Sequence, residues 1–468
     1  MQKLIDIHFD FLPDPIDGIY LVGGCLRDML IGRPPRDIDL VVEGDPARTA
    51  ARIAQRTGGR LIDLGKKEFS VFRIVSASAV IDITPLAGAT IASDLAARDF
   101  TLNALAFDLK SRRLVDCTGG LNDIRQGIIR MVAETAFVND PARLVRAYRL
   151  AAELGFSIDP QTQAVITRHR QRIATVAGER VWAELVKIFK VDDSAGTIRG
   201  MAASNLLTAI FPELKPTIGC TQNRHHRFDV FEHSLRAYEA VEGLFSEFDT
   251  RFPDLADIAS ETDLANDVYL LKYSALLHDV GKPPTRQCDA SAAVHFPGHA
   301  VSSADMAAVI GRRLRLSADQ QQFSDAIIRH HIRPLFLFIA WQKSTLGPNG
   351  QIRFFRHCGR HCLPIIVHAM ADTLAKHTTP TRQDAALIDF CYHLGKAFAV
   401  YRQRQRTSRP LINGRDLITE LGLSPGPQFK QILNRVDEQR LAGTLTSREQ
   451  ALAWVRRHLT DRHLDPDA

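Results

Sequence analysis

Strand-forming runs are confined to roughly the first 125 residues of this 468-residue chain, and almost none follow. The runs "GIYLVGG", "DIDLVVEG", "SVFRIV", "AVIDITP", "LNALAFDL" and "RLVDCTGG" are rich in Val, Ile and Leu and bounded by Gly, Pro or Asp, which reads as strands or strand ends. Between them "PARTAARIAQRTG" reads as a helix closed by Gly58. From about residue 126 the pattern turns helical. "DPARLVRAYRLAAELG" opens with Asp140 and Pro141 in N-cap and first-turn positions and stops at Gly155, and "GERVWAELVKIFK" is another helix. The expectation is an α+β multidomain protein, a mixed-sheet head followed by helical bodies.

A break at "FPELKPTIGCTQNRHHR" sets off a histidine-rich helical segment, and an arginine-rich stretch opens the last part. The spans expected are a head over 1–125, a helical neck over 126–220, a histidine-rich domain over 221–385 and a helical tail over 386–468. A chain this long exceeds one compact core, and ordinary domain sizes suggest about three. With 45% hydrophobic and 24% charged residues it has the composition of a soluble globular protein. No apolar run has the length of a membrane span, and the acidic start "MQKLIDIHFDFLPDP" does not read as a signal peptide, so the cytoplasm is expected.

The formal charge of +6, from 59 Lys+Arg against 53 Asp+Glu, is compatible with a nucleic-acid partner without establishing one. Seven scattered cysteines do not form a disulfide pattern. In "HCGRHC" (357–362) a His-Cys pair recurs four residues apart, which on a helix puts like residues on one face. A soft-metal site is conceivable there, but closed sites usually draw ligands from two segments, so an ordinary helix surface is the simpler reading.

The stretch "LVGGCLRDMLIGRPPRDIDLVVEGD" (21–45) carries the first chemistry. In a strand, Asp37 and Asp39 point to the same side. Two adjacent carboxylates repel unless a cation joins them, and Mg²⁺ takes such oxygens while binding substrate phosphates. Two such ions could clamp the attacking and leaving oxygens of an in-line phosphoryl displacement. Gly23 and Gly24 allow close backbone approach to a triphosphate, with Arg27 supplying charge nearby.

GG-x-x-RD followed by DID before a hydrophobic strand resembles the first motif of the nucleotidyltransferase superfamily that includes DNA polymerase β. More narrowly it resembles the class II tRNA nucleotidyltransferases (CCA-adding enzymes) and bacterial poly(A) polymerases. That resemblance implies a third carboxylate on a neighbouring strand, for which Asp82 in "AVIDITP" has the setting. "RDFTLNALAFD" resembles the family's second signature. It implies Arg98 on the triphosphate and Asp99 and Asn103 on the sugar hydroxyls. "VDCTGGLNDI" resembles the third, a turn linking head to neck.

"NDPARLVRAYR" matches the family's Glu-Asp-x-x-Arg at Asp140 and Arg143, with Asn139 in place of the Glu and Arg146 joining the nucleotide-binding set. Asp140 and Arg143, three apart, would share a helix face. Cytosine and adenine each show an amine donor beside a ring-nitrogen acceptor, which a carboxylate and a guanidinium complement. Uracil and guanine invert that pattern and leave both protein groups unpaired. Glu179, Arg180 and Lys187 in "ERVWAELVKIF" resemble the following neck motif, as structural or RNA-backbone contacts.

Further on, His233, His278–Asp279, His299, His330–His331 and Asp372 occur in an order that resembles the HD superfamily of metal-dependent phosphohydrolases. Such a mixed N/O set suits Mn²⁺, Ni²⁺, Co²⁺ or Fe²⁺, with a metal-bound water to attack a phosphoester. His299 and one of His330 and His331 suggest room for a second metal. "PLINGRDLITELGLSPGPQFKQIL" looks like the family's tRNA-binding tail.

The resemblance implies addition of CMP, AMP or both, from CTP and ATP, to the 3′ end of tRNA with Mg²⁺. Relatives that complete CCA carry a flexible loop after the "AVIDITP" strand, whereas here only "LAGATIASDLAA" (86–97) precedes the RDF motif. Such shortening resembles relatives that add only the two cytidines, and both outcomes stay open. Poly(A) polymerase is an alternative. An HD phosphohydrolase with an RNA-binding head is another, although the intact DID speaks against it. The oligomeric state is not legible.

Overall fold

The computed structural model describes residues 12, 17–35, 37–65, 71–77, 79–223, 225–291, 293–407 and 409–460. The chain divides into two compact units, Met1–Ile210 and Phe211–Ala468.

The first unit is built on a seven-stranded sheet. Its strands are β1 (Ile19–Val22), β2 (Asp37–Val42), β3 (Arg60–Asp63), β4 (Phe72–Val75), β5 (Val80–Pro85), β6 (Leu105–Asp108) and β7 (Arg113–Asp116). Their order is β3-β4-β5-β2-β1-β6-β7. β2 and β5 run parallel, and the other neighbours are antiparallel. The six hydrophobic runs of the sequence correspond to six of these strands. β3 was not among them, because its mostly exposed residues carry little apolar alternation.

The two faces of β2 explain its sequence. Ile38, Leu40 and Val42 enter the main core with Ile74, Ile81 and Ile83. Val41 belongs to a smaller cluster with Val22, Leu95 and Ala106 on the other face. Asp37 and Asp39 alternate with the core residues, as do Asp82 on β5 and Arg73 on β4, so all four share the face away from the main core. A one-residue slip would bury the carboxylates and expose three branched aliphatics, each contributing about 1.5–3 kcal/mol when buried.

Helix α1 (Gly23–Leu30) starts directly at the double glycine, and Gly23 has φ +74°. α2 (Pro46–Thr57) is capped by Asp45, which accepts from Ala47 and Arg48 N–H, and ends at Gly58 with φ +61°, as its sequence predicts. α3 (Ile91–Ala96) lies in the connection after β5, and α4 (Gly120–Gln126) follows the Gly-Gly turn. A Cβ at Gly120 would stand 2.1 Å from the Thr101 carbonyl oxygen, so only glycine fits this junction.

Among the helices that follow are α5 (Arg143–Leu154) and α6 (Gly178–Phe189). The helix expected to run from Asp140 begins at Arg143. Asp140 has φ −139° and ψ 90°, standing between the short helix Thr135–Asn139 and α5. The residue before a proline is disfavoured in helical conformation, and Pro141 enforces this break.

The second unit is helical. Its first long helices are α7 (Val230–Ser246), α8 (Leu264–Leu277), α9 (His299–Arg313) and α10 (Ala318–His330). There follow α11 (Arg333–Gln342), α12 (Pro348–Cys358), the almost wholly buried α13 (Cys362–Ala375) and the long α14 (Arg382–Thr407). α15 (Gly414–Thr419), α16 (Gln428–Ala442) and α17 (Arg448–Thr460) close the described chain around their own cluster of Ile412, Leu417, Ile432, Val436 and Leu452.

"HCGRHC" is not one helix. α12 ends at Cys358, Gly359 takes φ +53°, and a tight turn leads into α13. Cys358, His361 and Cys362 are buried while His357 is exposed, so the two histidines do not share a face. Among the described residues this segment contributes to no group of three or more metal-type ligands. Nor is any described helix long and apolar enough to cross a membrane.

Candidate active site and metal centre

In the first unit, Asp39 on β2 and Asp82 on β5 are direct partners across the parallel pair, with Asp37 opposite Val80. Arg73 on β4, opposite Asp82 on its other side, grips that carboxylate with two bonds of 2.8 and 2.7 Å. Burial, then the Asp82 charge, push the Asp39 carboxyl up to about 6; Arg98 and Arg73 pull against the shift, and Asp37 adds to it. Carboxylates crowded enough to hold a proton near neutrality form a donor set that a divalent cation would neutralise. The oxygen-only composition fits Mg²⁺.

These groups open onto a cleft of about 310 Å³. Gly23, Gly24, Asp39 and Asp82 line one part, and Arg98, Asp99, Asn103, Arg143 and Arg146 line the rest. A Cβ on Gly23 would sit 3.1 Å from Asp39 Oδ2 and 3.4 Å from Arg98 Nη1, so the glycine keeps that corner open. Asp37 lies at the exposed start of β2. Arg27 is buried behind the cleft, bonded to Asp28 and Asn103.

Arg98 is held by Asp94, whose other oxygen accepts from Ala87 N–H at 3.0 Å. Asp94 is 5% exposed, so the connection after β5 is a hydrogen-bonded turn and short helix. Asp94 was not singled out in the sequence. Its one signal was a lone acid four residues before Arg98.

Asp140 and Arg143 come together although they do not share a helix, with Arg143 Nε 3.8 Å from Asp140 Oδ2. Arg180, on α6, holds both oxygens of Asp140 at 3.0 and 2.9 Å. On the same helix, Glu184 reaches Arg149 at 2.6 Å and Arg146 at 3.6 Å. Glu184 was missed by sequence reasoning. Glu179 and Lys187 lie on α6, in its first and last turns.

In the second unit, His233, His278, Asp279, His299, His331 and Asp372 converge. Asp279 Oδ2 lies 3.2 Å from His278 Nε2 and 3.5 Å from His233 Nε2. Its Oδ1 lies 3.5 Å from His299 Nε2 and 3.8 Å from His331 Nε2. Asp279 therefore stands between two ligand sets, and Asp372 joins the first through His233 at 2.9 Å.

Three of the histidines are oriented in the same way. Nδ1 of His278, His299 and His331 meets the carbonyl three residues earlier (Ala275, Phe296, Ile328) at 2.8, 2.8 and 2.6 Å. Donation from Nδ1 turns each Nε2 lone pair towards Asp279, the second-layer device typical of metal-ligating histidine. His278 Nε2 and Asp279 Oδ1 are buried without a hydrogen-bond partner, while Asp279 Oδ2 faces the Lys282 ammonium. Buried polar atoms of this kind are costly unless a cation is coordinated, so the residues fit a metal.

Burial lowers His331 to about 3, which keeps it a neutral ligand. Burial also disfavours charge on His278, but Asp279 and Asp372 outweigh it and hold its proton up to about 10, where a cation would replace it. Lys282 Nζ, 2.5 Å from Asp279 Oδ2, is a second resident positive charge.

His330 is not in this cluster. Consecutive helical residues point about 100° apart, so only one of the pair can face Asp279. His330 instead meets His357 at 3.3 Å. Two cluster members were missed. His226 joins His233 and Asp372, and His368, one turn before Asp372, packs 5.0 Å from the His278 ring. Neither has a sequence neighbour that marks it.

Glycines at a helix start facing carboxylates on adjacent strands define a metal-dependent nucleotidyltransferase head, here with an HD-type second unit. Family models match in the same order: the Poly A polymerase head domain over 19–130, the probable RNA and SrmB-binding site of polymerase A over 155–218, and the HD domain over 230–342. An A-adding tRNA nucleotidyltransferase of Deinococcus radiodurans is 31% identical over 95% of this chain and 96% of its own length, and the chain belongs to the tRNA nucleotidyltransferase family.

A CC-adding tRNA nucleotidyltransferase of Geobacter sulfurreducens is 29% identical over 94% of this chain and 91% of its own. The Thermotoga maritima CCA-adding enzyme complexed with tRNA shares the fold, with a TM-score of 0.63 at 20% identity over 94% of this chain and 91% of that one.

Proposed function

We propose that the head transfers CMP or AMP from CTP or ATP to the 3′ end of tRNA, building part of the CCA sequence. The observation that carries this reading is the pairing of Asp39 with Asp82 at a cleft whose far wall holds Asp99, Asn103, Arg143 and Arg146. Asp37, Asp39 and Asp82 would hold Mg²⁺, which when bound supplies the charge that stabilises an in-line displacement. The α1 amides at Gly23 and Gly24, with Arg98, bind the triphosphate. Asp99 and Asn103 read the sugar, and Asp140 and Arg143 read the base. The terminal 3′ hydroxyl attacks the α-phosphorus and pyrophosphate leaves.

Partial addition is favoured by the tie from Asp94 to Ala87 and Arg98, which makes the post-β5 connection a fixed turn. The relatives named A-adding and CC-adding match nearly the whole chain. A reaction on tRNA with CTP and ATP belongs in the cytoplasm. The working domains under this reading are the head (1–125), neck (126–220), HD domain (221–385) and tRNA-binding tail (386–468).

The experiment uses tRNA ending before CCA, after C and after CC, with Mg²⁺ and CTP, ATP or both, resolved to the nucleotide. Arrest at CC, or addition of A only onto CC, supports partial addition. Completion to CCA overturns that part, long A tails favour the polymerase alternative, and no addition sinks the reading.

A second reading concerns the HD unit. The Asp279-centred cluster favours hydrolysis of a phosphoester with Mn²⁺, Ni²⁺, Co²⁺ or Fe²⁺. Metal-dependent phosphoesterase activity that survives Asp37→Ala is its test.

A further inference from the structure

Arg27 is expected to meet the triphosphate, yet it is 8% exposed and does not line the cleft. Its Nε and Nη2 donate to Asp28 Oδ1 at 2.9 and 2.7 Å, and its Nη1 donates to Asn103 Oδ1 at 2.8 Å. Arg27 thereby decides which way the Asn103 amide faces. With the oxygen taken by the guanidinium, Nδ2 turns to Asp99 and donates to Oδ1 at 3.2 Å. The opposite orientation would set the amide nitrogen against the guanidinium and its oxygen against the carboxylate.

Asp99 is held from two further sides. Oδ1 also accepts the Phe100 N–H at 2.8 Å, and Oδ2 accepts Arg146 Nη1 at 3.2 Å. What remains is one N–H on Asn103 Nδ2 and lone-pair capacity on Asp99 Oδ2. Both residues line the cleft. A donor and an acceptor side by side match two neighbouring hydroxyls, one accepting and one donating. A 2′-deoxyribose leaves one of the two protein groups without a partner, which a desolvated site penalises.

We propose that Arg27 is a positioning residue for ribose selection, acting through Asn103 on Asp99 and not through the triphosphate. The proposal rests on the nucleotidyl-transfer reading given above.

The test compares CTP with dCTP, and ATP with dATP, on tRNA lacking its 3′ end, using the full-length parent, Arg27→Gln, Asn103→Ala and the double variant. Arg27→Gln is expected to raise relative use of the deoxynucleotide about tenfold, the scale of one hydrogen bond. Inhibition by pyrophosphate should stay unchanged. In the Asn103→Ala background Arg27→Gln should add no further loss of discrimination, because its route is already cut.

An unchanged CTP/dCTP ratio with weaker pyrophosphate inhibition overturns the proposal, as do effects that multiply in the double variant. Arg27→Lys, which keeps the charge but not the forked donors, is expected to relax discrimination too and serves if Arg27→Gln does not fold. Calorimetric binding of CTP and dCTP with Mg²⁺ reads the same ratio without transfer. A parent that adds no nucleotide therefore sinks the functional reading, while the binding ratio still decides the role of Arg27.

Discussion

Asp39 and Asp82 face each other across the parallel pair β2–β5, and Arg73 closes on the far side of Asp82 with two bonds of 2.8 and 2.7 Å. Asp82 thus has a resident counter-ion, while the charge of Asp39 is left weakly compensated.

From this arrangement, Asp39 weakens the metal-free head at neutral pH. Its folded carboxyl titrates near about 6 against an ordinary 3.8, so the folded state holds a proton that the unfolded state has already lost. The contribution to stability is intact below about 3.8 and is lost as pH rises through about 6. The full shift corresponds to about 3 kcal/mol, and partial solvent access reduces it to about 1–2 kcal/mol. Asp39→Asn should therefore raise the melting temperature in EDTA at pH 7.5, abolish the rise caused by Mg²⁺ and abolish transfer. A lower melting temperature in EDTA would contradict the electrostatic account.

Arg180 holds Asp140, the carboxylate proposed to read the base, from an exposed position, its side chain 52% open to solvent. Arg180→Ala should change stability by less than about 1 kcal/mol, as exposed ion pairs do. It should raise the KM for CTP and ATP about tenfold and increase UTP misincorporation. Steady-state kinetics with each nucleotide, beside a melting curve, checks both halves.

The histidine pair at the end of α10 separates cleanly. His331→Ala should lose bound Mn²⁺ and phosphoesterase activity, whereas His330→Ala should keep both and the parent's rate of nucleotide addition. Metal content by mass spectrometry after dialysis against Mn²⁺ distinguishes them. Loss of metal from His330→Ala would place the wrong residue in the cluster.

Beneath the cluster, Lys272 Nζ sits 2.6 Å from Glu242 Oε1, with side chains 2% and 8% exposed, and ties α8 to α7. Removing one partner takes away the other's buried counter-ion, so Lys272→Met should destabilise the second unit by about 3–5 kcal/mol. Lys272→Met with Glu242→Leu should recover most of that loss. Urea unfolding of the two variants is the measurement.

Much of the head was readable before any coordinates. Period-two alternation placed Asp37 and Asp39 on one face, and Gly58 marked the end of α2. The exposed edge strand β3 was not readable, because weak burial leaves weak patterning. Asp140 is non-helical and accepts the Ala142 N–H as a cap would, but Pro141 and Ala142 form a turn and the regular helix begins at Arg143.

The chain order of motifs, the alternation of carboxylates with core residues and the helix-ending glycines were set by the sequence, because each depends on neighbours a few residues apart. The tertiary structure decided which distant groups meet. It put Asp82 against Asp39, bonded Arg27 to Asn103, and set His331 rather than His330 beside Asp279. It also recruited His226 and His368, which no local pattern marks. Those choices follow from strand pairing, helix rotation and burial, quantities that exist only once remote segments pack together.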